Sequence, residues 1–309
     1  MDILITGGTG FIGSHLVERL LSLGHSILCI DNYATSRRDT LASSHSYLEI
    51  LEANIADGGQ VDAAFDRFQP DLVIHCAASY KDPDNWREDI LTNTLGTTNI
   101  VQASKHHKIQ RLIYFQTALC YGNFPTEQPI PLNHSLNPES SYAISKTAGE
   151  QYIALSGIDF ISFRLANVYG PRNLSGPIPT FYHRLSQDKS CFAVNTRRDF
   201  VFIDDLVEVV TQAIRGKGNS GYYHISSGSD YSIRELYDAV AAALNIDRPV
   251  EERERGADDA PTILLDPSKT QQDFGWQAST SLQDGIRKAV EWYQLYGVAQ
   301  TYTHLKMKD

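Results

Sequence analysis

The sequence contains no apolar run that approaches the roughly 20 residues needed to cross a bilayer, so no transmembrane segment is expected. A basic excess is also missing, because 27 lysines and arginines stand against 37 acidic residues and give a formal net charge of -10. Nonspecific binding to nucleic acid or to an anionic membrane needs a basic surface, and this balance argues against both functions. An anionic small ligand in a local positive pocket stays compatible with it.

Cysteine is scarce, and its four copies are widely spaced in largely apolar surroundings: Cys29, Cys76, Cys120 and Cys191. Buried thiols in a reducing cytoplasm fit this pattern best. The adjacent His106 and His107 have no companion ligands at metal-binding spacing, so no metal site is expected. Met1 and Asp2 lead directly into an apolar run, from which we expect no signal peptide and a cytoplasmic location.

Short apolar runs alternate with amphipathic helical stretches over the first half of the chain. Strands are predicted at 3–5, 26–30, 48–51, 72–75, 111–115 and 160–164. Helices are predicted in a segment that ends near Gly24 and at 60–68, 89–106 and 142–155. Continuous apolar strands that alternate with helices predict a parallel sheet covered on both faces. The expected fold class is α/β, with a Rossmann-type doubly wound parallel sheet.

The pattern changes after Gly170 and Pro171, where a stretch rich in Pro, Gly and Asn predicts loops through Pro179. Two further strands and two further helices are predicted beyond it, at 200–203, 221–225, 233–244 and 282–296. The two helices are separated by a charged stretch at 251–259. This second part predicts a smaller C-terminal α/β domain that is partly interleaved with the first.

Three glycines, Gly7, Gly10 and Gly13, follow the first strand and open a helix. Glycine is needed at such positions for a tight turn, for close approach to a pyrophosphate and for close packing of helix on strand. The helix N-terminus also favours the pyrophosphate charge. Because the strand–turn–helix context is present, the motif predicts a dinucleotide site rather than a purely structural turn.

Asp31 ends the second strand, where a carboxylate can accept both ribose hydroxyls and repels a 2′-phosphate. This position favours NAD over NADP, although a helix or turn cap is the alternative role. Arg37 and Arg38 follow closely and could accommodate a phosphate, which would favour NADP. NAD is the better prediction.

Tyr142 and Lys146 lie four residues apart and therefore share one face of a predicted helix. Lowering the pKa of a tyrosine from about 10 to about 7 needs roughly 4 kcal/mol. One positive charge at about 4 Å supplies roughly that much at an effective dielectric of about 20. We expect the pair to make a phenolate base near neutral pH, suited to removing a proton from a sugar or alcohol hydroxyl. The alternative is an ordinary surface pair.

Further motifs occur in order along nearly the whole chain. They are Asp31-Asn32, Asn54-Ile55, His75-Cys76-Ala77-Ala78, Asn93 before Gly96-Thr97, Thr117 before Tyr121-Gly122, the Tyr142/Lys146 pair, the run 164–171 and Arg198-Asp199-Phe200. Together with the glycine motif they resemble the extended short-chain dehydrogenase/reductases, in the nucleotide-sugar epimerase/dehydratase branch. The chain looks most like the UDP-glucose 4-epimerase group, particularly epimerase-like members from bacterial surface-polysaccharide clusters.

The resemblance implies two domains, one for the cofactor and one for the substrate. An NAD-binding Rossmann domain would comprise 1–170 with returning segments near 200–228. A discontinuous nucleotide-sugar-binding domain would comprise 171–199 and 229–309. A homodimer is implied through the helices at 89–106 and 142–155, whose apolar faces suit such an interface.

The resemblance also implies a role for each matching residue. The catalytic residues would be Thr117, Tyr142 and Lys146, with Thr117 bonded to the sugar C4 hydroxyl that Tyr142 deprotonates. The cofactor would be held by Gly7, Gly10, Phe11, Ile12, Gly13, Asp31, Asn32, Asn54, Ile55, Ala77, Ala78, Asn93, Tyr142 and Lys146. The substrate would be held by Thr117, Asn167, Arg198, Arg255 and Asp259, the last two as a pair that grips phosphate and ribose.

Two departures from the family pattern concern the nucleotides. Asn54 replaces the commoner aspartate at the adenine edge, but its carbonyl can still accept from the adenine amine. The usual glycine–aspartate–glycine stretch before Arg198 is absent, and 192–195 stands there instead. This second departure leaves the base of the substrate nucleotide open, with UDP the preferred prediction.

The residues after Thr117 discriminate between reactions. Related 4,6-dehydratases place Asp-Glu there and decarboxylases keep a glutamate, because loss of water needs an acid and a base. Ala118 and Leu119 cannot carry protons, so the sequence points to C4 epimerisation through a transient 4-keto sugar. A nucleotide-sugar 4-ketoreductase is the main alternative and a catalytically silent NAD-sensing regulator a remote one. Hexose, N-acetylhexosamine and uronate substrates all stay open.

Overall fold

The computed structural model describes residues 1–42, 44–256 and 259–302. The strands are β1 (Asp2–Thr6), β2 (Ser26–Asp31), β3 (Leu48–Glu52), β4 (Leu72–His75), β5 (Arg111–Thr117), β6 (Phe160–Leu165), β7 (Asn167–Tyr169), β8 (Phe192–Val194), β9 (Arg197–Phe202), β10 (Gly221–Ile225), β11 (Asp230–Ser232), β12 (Glu251–Arg253) and β13 (Thr262–Ile263). The α-helices are α1 (Phe11–Ser22), α2 (Gly58–Phe68), α3 (Trp86–Asp89), α4 (Thr97–His106), α5 (Ser141–Ser156), α6 (Pro177–Leu185), α7 (Ile203–Ile214), α8 (Ile233–Ala243), α9 (Ser268–Phe274) and α10 (Leu282–Tyr296). A π-helical segment (Ile90–Gly96) joins α3 to α4, and a short 3₁₀ turn (Ala118–Tyr121) follows β5.

Seven strands form one parallel sheet in the order β10-β6-β5-β4-β1-β2-β3. The direction of progression along the sheet reverses between β1 and β4, where Thr6 pairs with His75. Open α/β sheets bind their ligands outside the carboxyl ends of the strands at such a point. The prediction of a Rossmann-type doubly wound sheet is confirmed, and the crevice between β1 and β4 is the expected place for the cofactor.

A smaller sheet is organised around β9. β7 and β13 run parallel to β9, and β11 runs antiparallel to it. β8 and β12 form a separate parallel pair. β9 therefore brings Arg198 beside Tyr231 of β11 and Ile263 of β13, two distant parts of the chain.

Helices cover both faces of the large sheet. On one face α2, α4 and α5 pack through fully buried apolar residues such as Phe65, Ile100 and Ile153. On the other face the core formed with α1 and α7 continues without a break into α8 and α10, through residues such as Leu236 and Ile286. Within the described ranges, no helix has the length and apolar character needed to cross a membrane.

Two helices occupy segments that the sequence analysis assigned to loop or strand. α6 begins at Pro177, inside the predicted loop, because proline fits the first positions of a helix as well as it fits a loop. α7 begins at Ile203, the last residue of a predicted strand, and Asp204 and Asp205 in its first turn complement the helix dipole. The helix predicted at 89–106 is divided by the π-helical segment.

Candidate active site

The turn between β1 and α1 is built for close approach. Gly7 has φ +64, and a Cβ there would lie 2.7 Å from the Ala77 amide nitrogen. A Cβ on Gly13 would lie 2.2 Å from the Gly7 carbonyl oxygen. Gly10 is the N-cap of α1 and has no side chain that could bond the first amides of the helix. The first turn, which includes Phe11 and Ile12, carries no acidic residue. The turn and the helix N-terminus therefore present backbone amides to an anion, and they fit a pyrophosphate.

Asp31 lies at the end of β2, beside this turn. Its Oδ2 accepts from the Thr9 amide at 3.0 Å, and its Oδ1 accepts from the Tyr33 amide at 2.9 Å and from Ser36 Oγ at 3.0 Å. The carboxylate is thus fixed at the ribose end of the crevice with Oδ2 able to accept a further hydroxyl.

The two nearby arginines are both engaged by carboxylates. Arg37 donates to Asp39 at 2.8 Å, and Arg38 donates to Glu52 at 2.7 Å. Asn32 accepts from the Ala34 amide at 3.1 Å and so shapes the same loop. These pairings favour the carboxylate at Asp31 as the determinant of cofactor choice.

The loop after β3 carries Asn54 and Ile55. Asn54 Oδ1 accepts from the Ala56 amide at 3.0 Å, which leaves the second lone pair of this oxygen for another donor. Ile55 is buried, and its side chain fills the space beside Gly96, where a Cβ would lie 2.6 Å away. Ile55 therefore supports the site mainly through packing.

Asn93 is fully buried in the π-helical segment, and its side chain joins two parts of the site. Its Oδ1 accepts from the Ser79 amide at 2.9 Å, while its Nδ2 donates to the Ser79 carbonyl at 2.9 Å and to Ser145 Oγ at 3.0 Å. Ser79 follows Ala77 and Ala78 on the loop after β4, and Ser145 precedes Lys146. Asn93 thus locks the cofactor loop against α5.

Lys146 is buried on α5, and Tyr114 contacts both its main chain and its ammonium group. The Tyr114 hydroxyl donates to the Lys146 carbonyl at 3.0 Å, and the Lys146 ammonium lies 3.9 Å from the centre of the Tyr114 ring. Burial lowers the pKa of Lys146 to about 7, with the nearby Cys76 and Glu150 acting in the opposite direction. Tyr114 lies inside the apolar run of β5, and no local motif marks it as part of the site.

Tyr142 lies four residues before Lys146 in the first turns of α5, which Ser140 caps by accepting from the Ala143 amide at 3.2 Å. Burial raises the pKa of Tyr142, and the nearby Tyr80 and Asp89 raise it further. The expectation that Lys146 alone brings this pKa to about 7 is therefore wrong for this geometry. The reason is that the ammonium lies over the Tyr114 ring while the phenol is desolvated.

Thr117 ends β5, and the 3₁₀ turn that follows it packs against α5. Its Oγ1 accepts from the Leu119 amide at 3.2 Å, and a hydroxyl that accepts in this way keeps its own proton to donate. The Thr117 amide is held by Gln116 Oε1 at 2.8 Å. Ala118 and Leu119 open the turn, so neither of the two residues directly after the threonine has a side chain that can carry a proton.

A buried polar network joins this turn to α5. Arg164 donates through Nη2 to Glu150 at 2.8 Å and through Nη1 to the Tyr121 hydroxyl at 2.8 Å. His224 Nδ1 lies 3.0 Å from the Asp266 carbonyl, which can only accept, so Nε2 accepts from Tyr121 at 2.6 Å. The network ties the turn after Thr117, the catalytic helix and β10 to one another.

The residues assigned to the substrate form a cluster at β9. Asn167 Nδ2 donates to the Asp199 carbonyl at 3.0 Å, and Arg198 Nη1 donates to the Ala260 carbonyl at 2.9 Å. The carboxylate of Asp259 pairs with Arg198. Arg255 donates to the Asp259 carbonyl at 2.8 Å and to the Gly256 carbonyl at 3.4 Å. The roles of Arg255 and Asp259 toward phosphate and ribose stay a prediction, and residues 257 and 258 between them lie outside the described part of the chain.

A long-range contact that the motifs do not predict joins the loop after β4 to the end of the described chain. Lys81, on the loop after β4, lies with its ammonium 3.8 Å from the centre of the Tyr302 ring. The Tyr302 amide donates to the Leu174 carbonyl at 2.8 Å, and the Tyr302 carbonyl accepts from the Gly176 amide at 2.8 Å. The end of the described chain thus joins the loop after β4 to the segment before α6, a long-range contact that no local pattern announces.

A family model described as the NAD dependent epimerase/dehydratase family matches residues 3–226, well over half of the 309 residues. The chain belongs to this family. The prediction of that family from the motifs is confirmed. The cradle at Gly7 and Gly13, the free N-terminus of α1 and the fixed carboxylate of Asp31 all fit the NAD that the family uses.

Two solved structures and one curated relative illustrate the similarity. The Bordetella bronchiseptica enzyme WbmH, in complex with NAD+, is 51% identical, with a TM-score of 0.93 and coverage of 96% of this chain and 99% of that one. WbmG of the same organism, in complex with NAD and UDP, is 44% identical, with a TM-score of 0.91 and coverage of 98% and 97%. The UDP-glucose 4-epimerase of Mycolicibacterium smegmatis is 29% identical over 314 residues, which covers 95% of this chain and 99% of the relative. The prediction of NAD as cofactor is confirmed.

Proposed function

We propose that the protein catalyses NAD-dependent epimerisation at C4 of a UDP-sugar. The observation that carries the proposal is the setting of Thr117, which ends β5, a strand that packs against the helix of Tyr142 and Lys146, and is followed by Ala118 and Leu119. Such a site has the groups for oxidation and reduction at C4. It lacks the acid and base that the loss of water would require.

The chemistry at C4 follows from three side chains of this chain. Tyr142 takes the proton of the C4 hydroxyl and later returns it, while the Thr117 hydroxyl donates to the sugar oxygen and fixes its direction. Bound NAD supplies the acceptor, and then the donor, of the C4 hydride. Lys146 holds the nicotinamide ribose and, in its charged form, favours the phenolate. The 4-keto sugar must turn in the pocket before it is reduced again from its other face.

The choice of UDP is supported by two relatives, since WbmG was solved with UDP and the Mycolicibacterium smegmatis relative is a UDP-glucose 4-epimerase. In this chain Arg198 is the diphosphate contact, because a planar guanidinium suits phosphate oxygens. Asp259 holds the same guanidinium in the structure, so the diphosphate would replace or join that carboxylate. Asn167 and Arg255 complete the proposed nucleotide site.

The proposal is tested by incubating the purified protein with a panel of UDP- and dTDP-sugars and identifying the products by NMR. We expect C4 epimers to interconvert without net consumption of cofactor and without solvent deuterium at C5. Tyr142→Phe should abolish turnover with NAD binding retained, whereas Tyr296→Phe, which changes an exposed tyrosine of α10, should leave it unchanged. A 4-keto-6-deoxy product, or stoichiometric oxidation of NADH by a ketoreductase reaction, would overturn the proposal.

We further propose a division into a cofactor domain (1–170 and 200–228) and a substrate domain (171–199 and 229–309), located in the cytoplasm. Pairing of β10 with β6 supports the returning segment of the first domain. The smaller sheet around β9 and the helices that follow it support the second. The four free cysteines, of which Cys29, Cys120 and Cys191 are buried, suit a reducing compartment.

A homodimer through the helical segments at 89–106 and 142–155 is proposed as well. Both segments carry exposed apolar side chains, with Ile90 57%, Ile144 54% and Leu155 80% exposed. Such a surface is best covered by a second copy of the same helix in an isologous contact. Sedimentation should give twice the 34.5 kDa chain mass, and Leu155→Lys should reduce it to the monomer. A stable wild-type monomer at micromolar concentration would remove the proposal.

A further inference from the structure

Lys81 is a charged residue beside the cofactor crevice that the mechanism above does not use. It lies on the loop after β4, two residues beyond Ser79, whose amide and carbonyl are both held by Asn93 at 2.9 Å. The Lys81 ammonium donates to the Thr35 carbonyl, on the loop after β2, at 3.3 Å. The same ammonium lies 3.8 Å from the centre of the Tyr302 ring. One side chain therefore contacts two segments that lie far apart in the sequence.

The bond between Lys81 and Thr35 spans the mouth of the cofactor crevice. In the large sheet β1 lies between β4 and β2, and the three strands are parallel. Their following loops leave from the same edge of the sheet, so a bond between the loop after β2 and the loop after β4 passes across the end of β1. The glycine turn that fits the pyrophosphate of NAD begins at this end of β1.

The Thr35 end of this bridge is fixed to the same turn. Ser36, the next residue, donates to Asp31 at 3.0 Å and lies 2.7 Å from Thr9 Oγ1. Thr9 belongs to the glycine turn, and its amide donates to Asp31 at 3.0 Å. The loop after β2 thus offers Lys81 a carbonyl whose position is set by the residues around the ribose site.

The Tyr302 end is fixed to the segment before α6 by main-chain bonds. The Tyr302 amide donates to the Leu174 carbonyl at 2.8 Å, and the Tyr302 carbonyl accepts from the Gly176 amide at 2.8 Å. Between them Tyr302 forms a parallel bridge with Ser175. These bonds hold the backbone whatever the side chain is, so the ring is left to contact Lys81. A cation over an aromatic face is attracted by the ring quadrupole.

We propose that Tyr302 is a positioning residue for the cofactor, whose ring holds the Lys81 side chain across the crevice and so retains NAD. The need for retention rests on the proposed function, because an epimerase must keep the cofactor that received the hydride until the 4-keto sugar takes it back. NAD can leave the crevice only after Lys81 gives up its contacts with Thr35 and Tyr302. Loss of the aromatic face should therefore speed the release of the cofactor.

The test is the rate at which NADH leaves the whole chain, measured without any sugar. Protein loaded with NADH is mixed with a large excess of NAD+, and the change in NADH fluorescence gives the dissociation rate. Tyr302→Leu removes the aromatic face and keeps an apolar side chain, so dissociation should become about three- to tenfold faster. Tyr302→Phe keeps the face and should retain the wild-type rate. Tyr296→Leu changes an exposed tyrosine of α10 and should also retain it.

A double-mutant cycle checks that Tyr302 acts through Lys81. In a Lys81→Met background the ammonium is gone, so adding Tyr302→Leu should change the dissociation rate by less than about twofold. A further increase as large as in the wild-type background would overturn the proposal, because Tyr302 would then support the crevice by another route.

An unchanged rate in folded Tyr302→Leu would also overturn the proposal, and so would an equal acceleration in Tyr302→Phe or in Tyr296→Leu. Circular dichroism of each variant verifies that it is folded. Failure of every UDP-sugar to epimerise would overturn the proposed function and leave the release of NADH interpretable, so the two proposals fail separately.

Discussion

Replacing Lys146 with methionine should stabilise the protein while it abolishes activity. Lys146 is buried, and burial lowers its pKa from 10.5 to about 7. Each unit of such a shift corresponds to about 1.4 kcal/mol, so holding this lysine in its charged form costs the folded state up to about 5 kcal/mol. Methionine keeps most of the volume and can pack on the Tyr114 ring without a charge. We expect a gain of about 2–5 kcal/mol in the free energy of unfolding at pH 7.

The pH dependence of this gain provides an independent check. Between about pH 7 and 10.5 the unfolded chain holds a proton on Lys146 that the folded protein has released, so the wild type becomes more stable as the pH rises. The difference in the free energy of unfolding between Lys146→Met and the wild type should therefore shrink by about 1.4 kcal/mol per pH unit. The window ends near pH 9, before the tyrosines of the unfolded chain begin to titrate.

Urea unfolding of the two NAD-free proteins at pH 7, 8 and 9 measures both effects, with nucleotide removal verified by absorbance. Equal m-values would show that the same surface is exposed on unfolding in both. A variant that is no more stable than the wild type at pH 7 would refute the reasoning. A stability difference that stays constant from pH 7 to pH 9 would show that burial does not lower the pKa of Lys146.

Three further outcomes are expected. Glu150→Gln leaves the buried Arg164 guanidinium without its carboxylate and should lower the free energy of unfolding by about 3–5 kcal/mol in urea titrations. Glu18→Gln, in a partly exposed pair with Arg172, should cost less than about 1 kcal/mol, and a loss equal to that of Glu150→Gln would contradict the argument. Asp31→Ala should move the ratio of NADP to NAD dissociation constants toward NADP, and an unchanged ratio would assign cofactor choice elsewhere. Burial lowers the pKa of His224 to about 4 from 6.5, so stability should fall as the pH drops through that interval, and calorimetry of His224→Gln should show a smaller fall.

The large sheet was predictable because its strands are continuous apolar runs. The predicted strands at 26–30, 72–75 and 111–115 lie within β2, β4 and β5, which are buried on both faces and so read clearly in one dimension. α6 and α7 were missed for opposite reasons. The first opens with prolines that also mark loops, and the second begins at the end of the apolar run of β9, so Ile203 reads as the last residue of a strand.

The site was predictable where short motifs carry the chemistry and not where the contacts are long-range. The glycine turn, Asp31 and the Tyr142/Lys146 pair follow from local spacing. The place of the Lys146 ammonium over Tyr114, the pairing of Asp259 with Arg198 and the contact of Lys81 with Tyr302 depend on how distant segments pack. The wrong expectation for the pKa of Tyr142 has the same origin, because desolvation is a property of the packed site and leaves no mark in a helix-face argument.

β10 joins the large sheet far along the chain from β6, and this limits how segments of the protein can be exchanged with those of a relative. The edge strand beside β6 is made from residues 221–225, after the chain has already passed through α6, β8 and β9. A single crossover anywhere between β6 and β10 would pair one parent's sheet with another parent's edge strand. It would also take Tyr121 from one parent and His224, which accepts the hydrogen bond of the Tyr121 hydroxyl, from the other. On the proposed domain division, chimaeras that exchange the substrate domain therefore need three junctions, after residues 170, 199 and 228, because the cofactor domain is not contiguous along the chain.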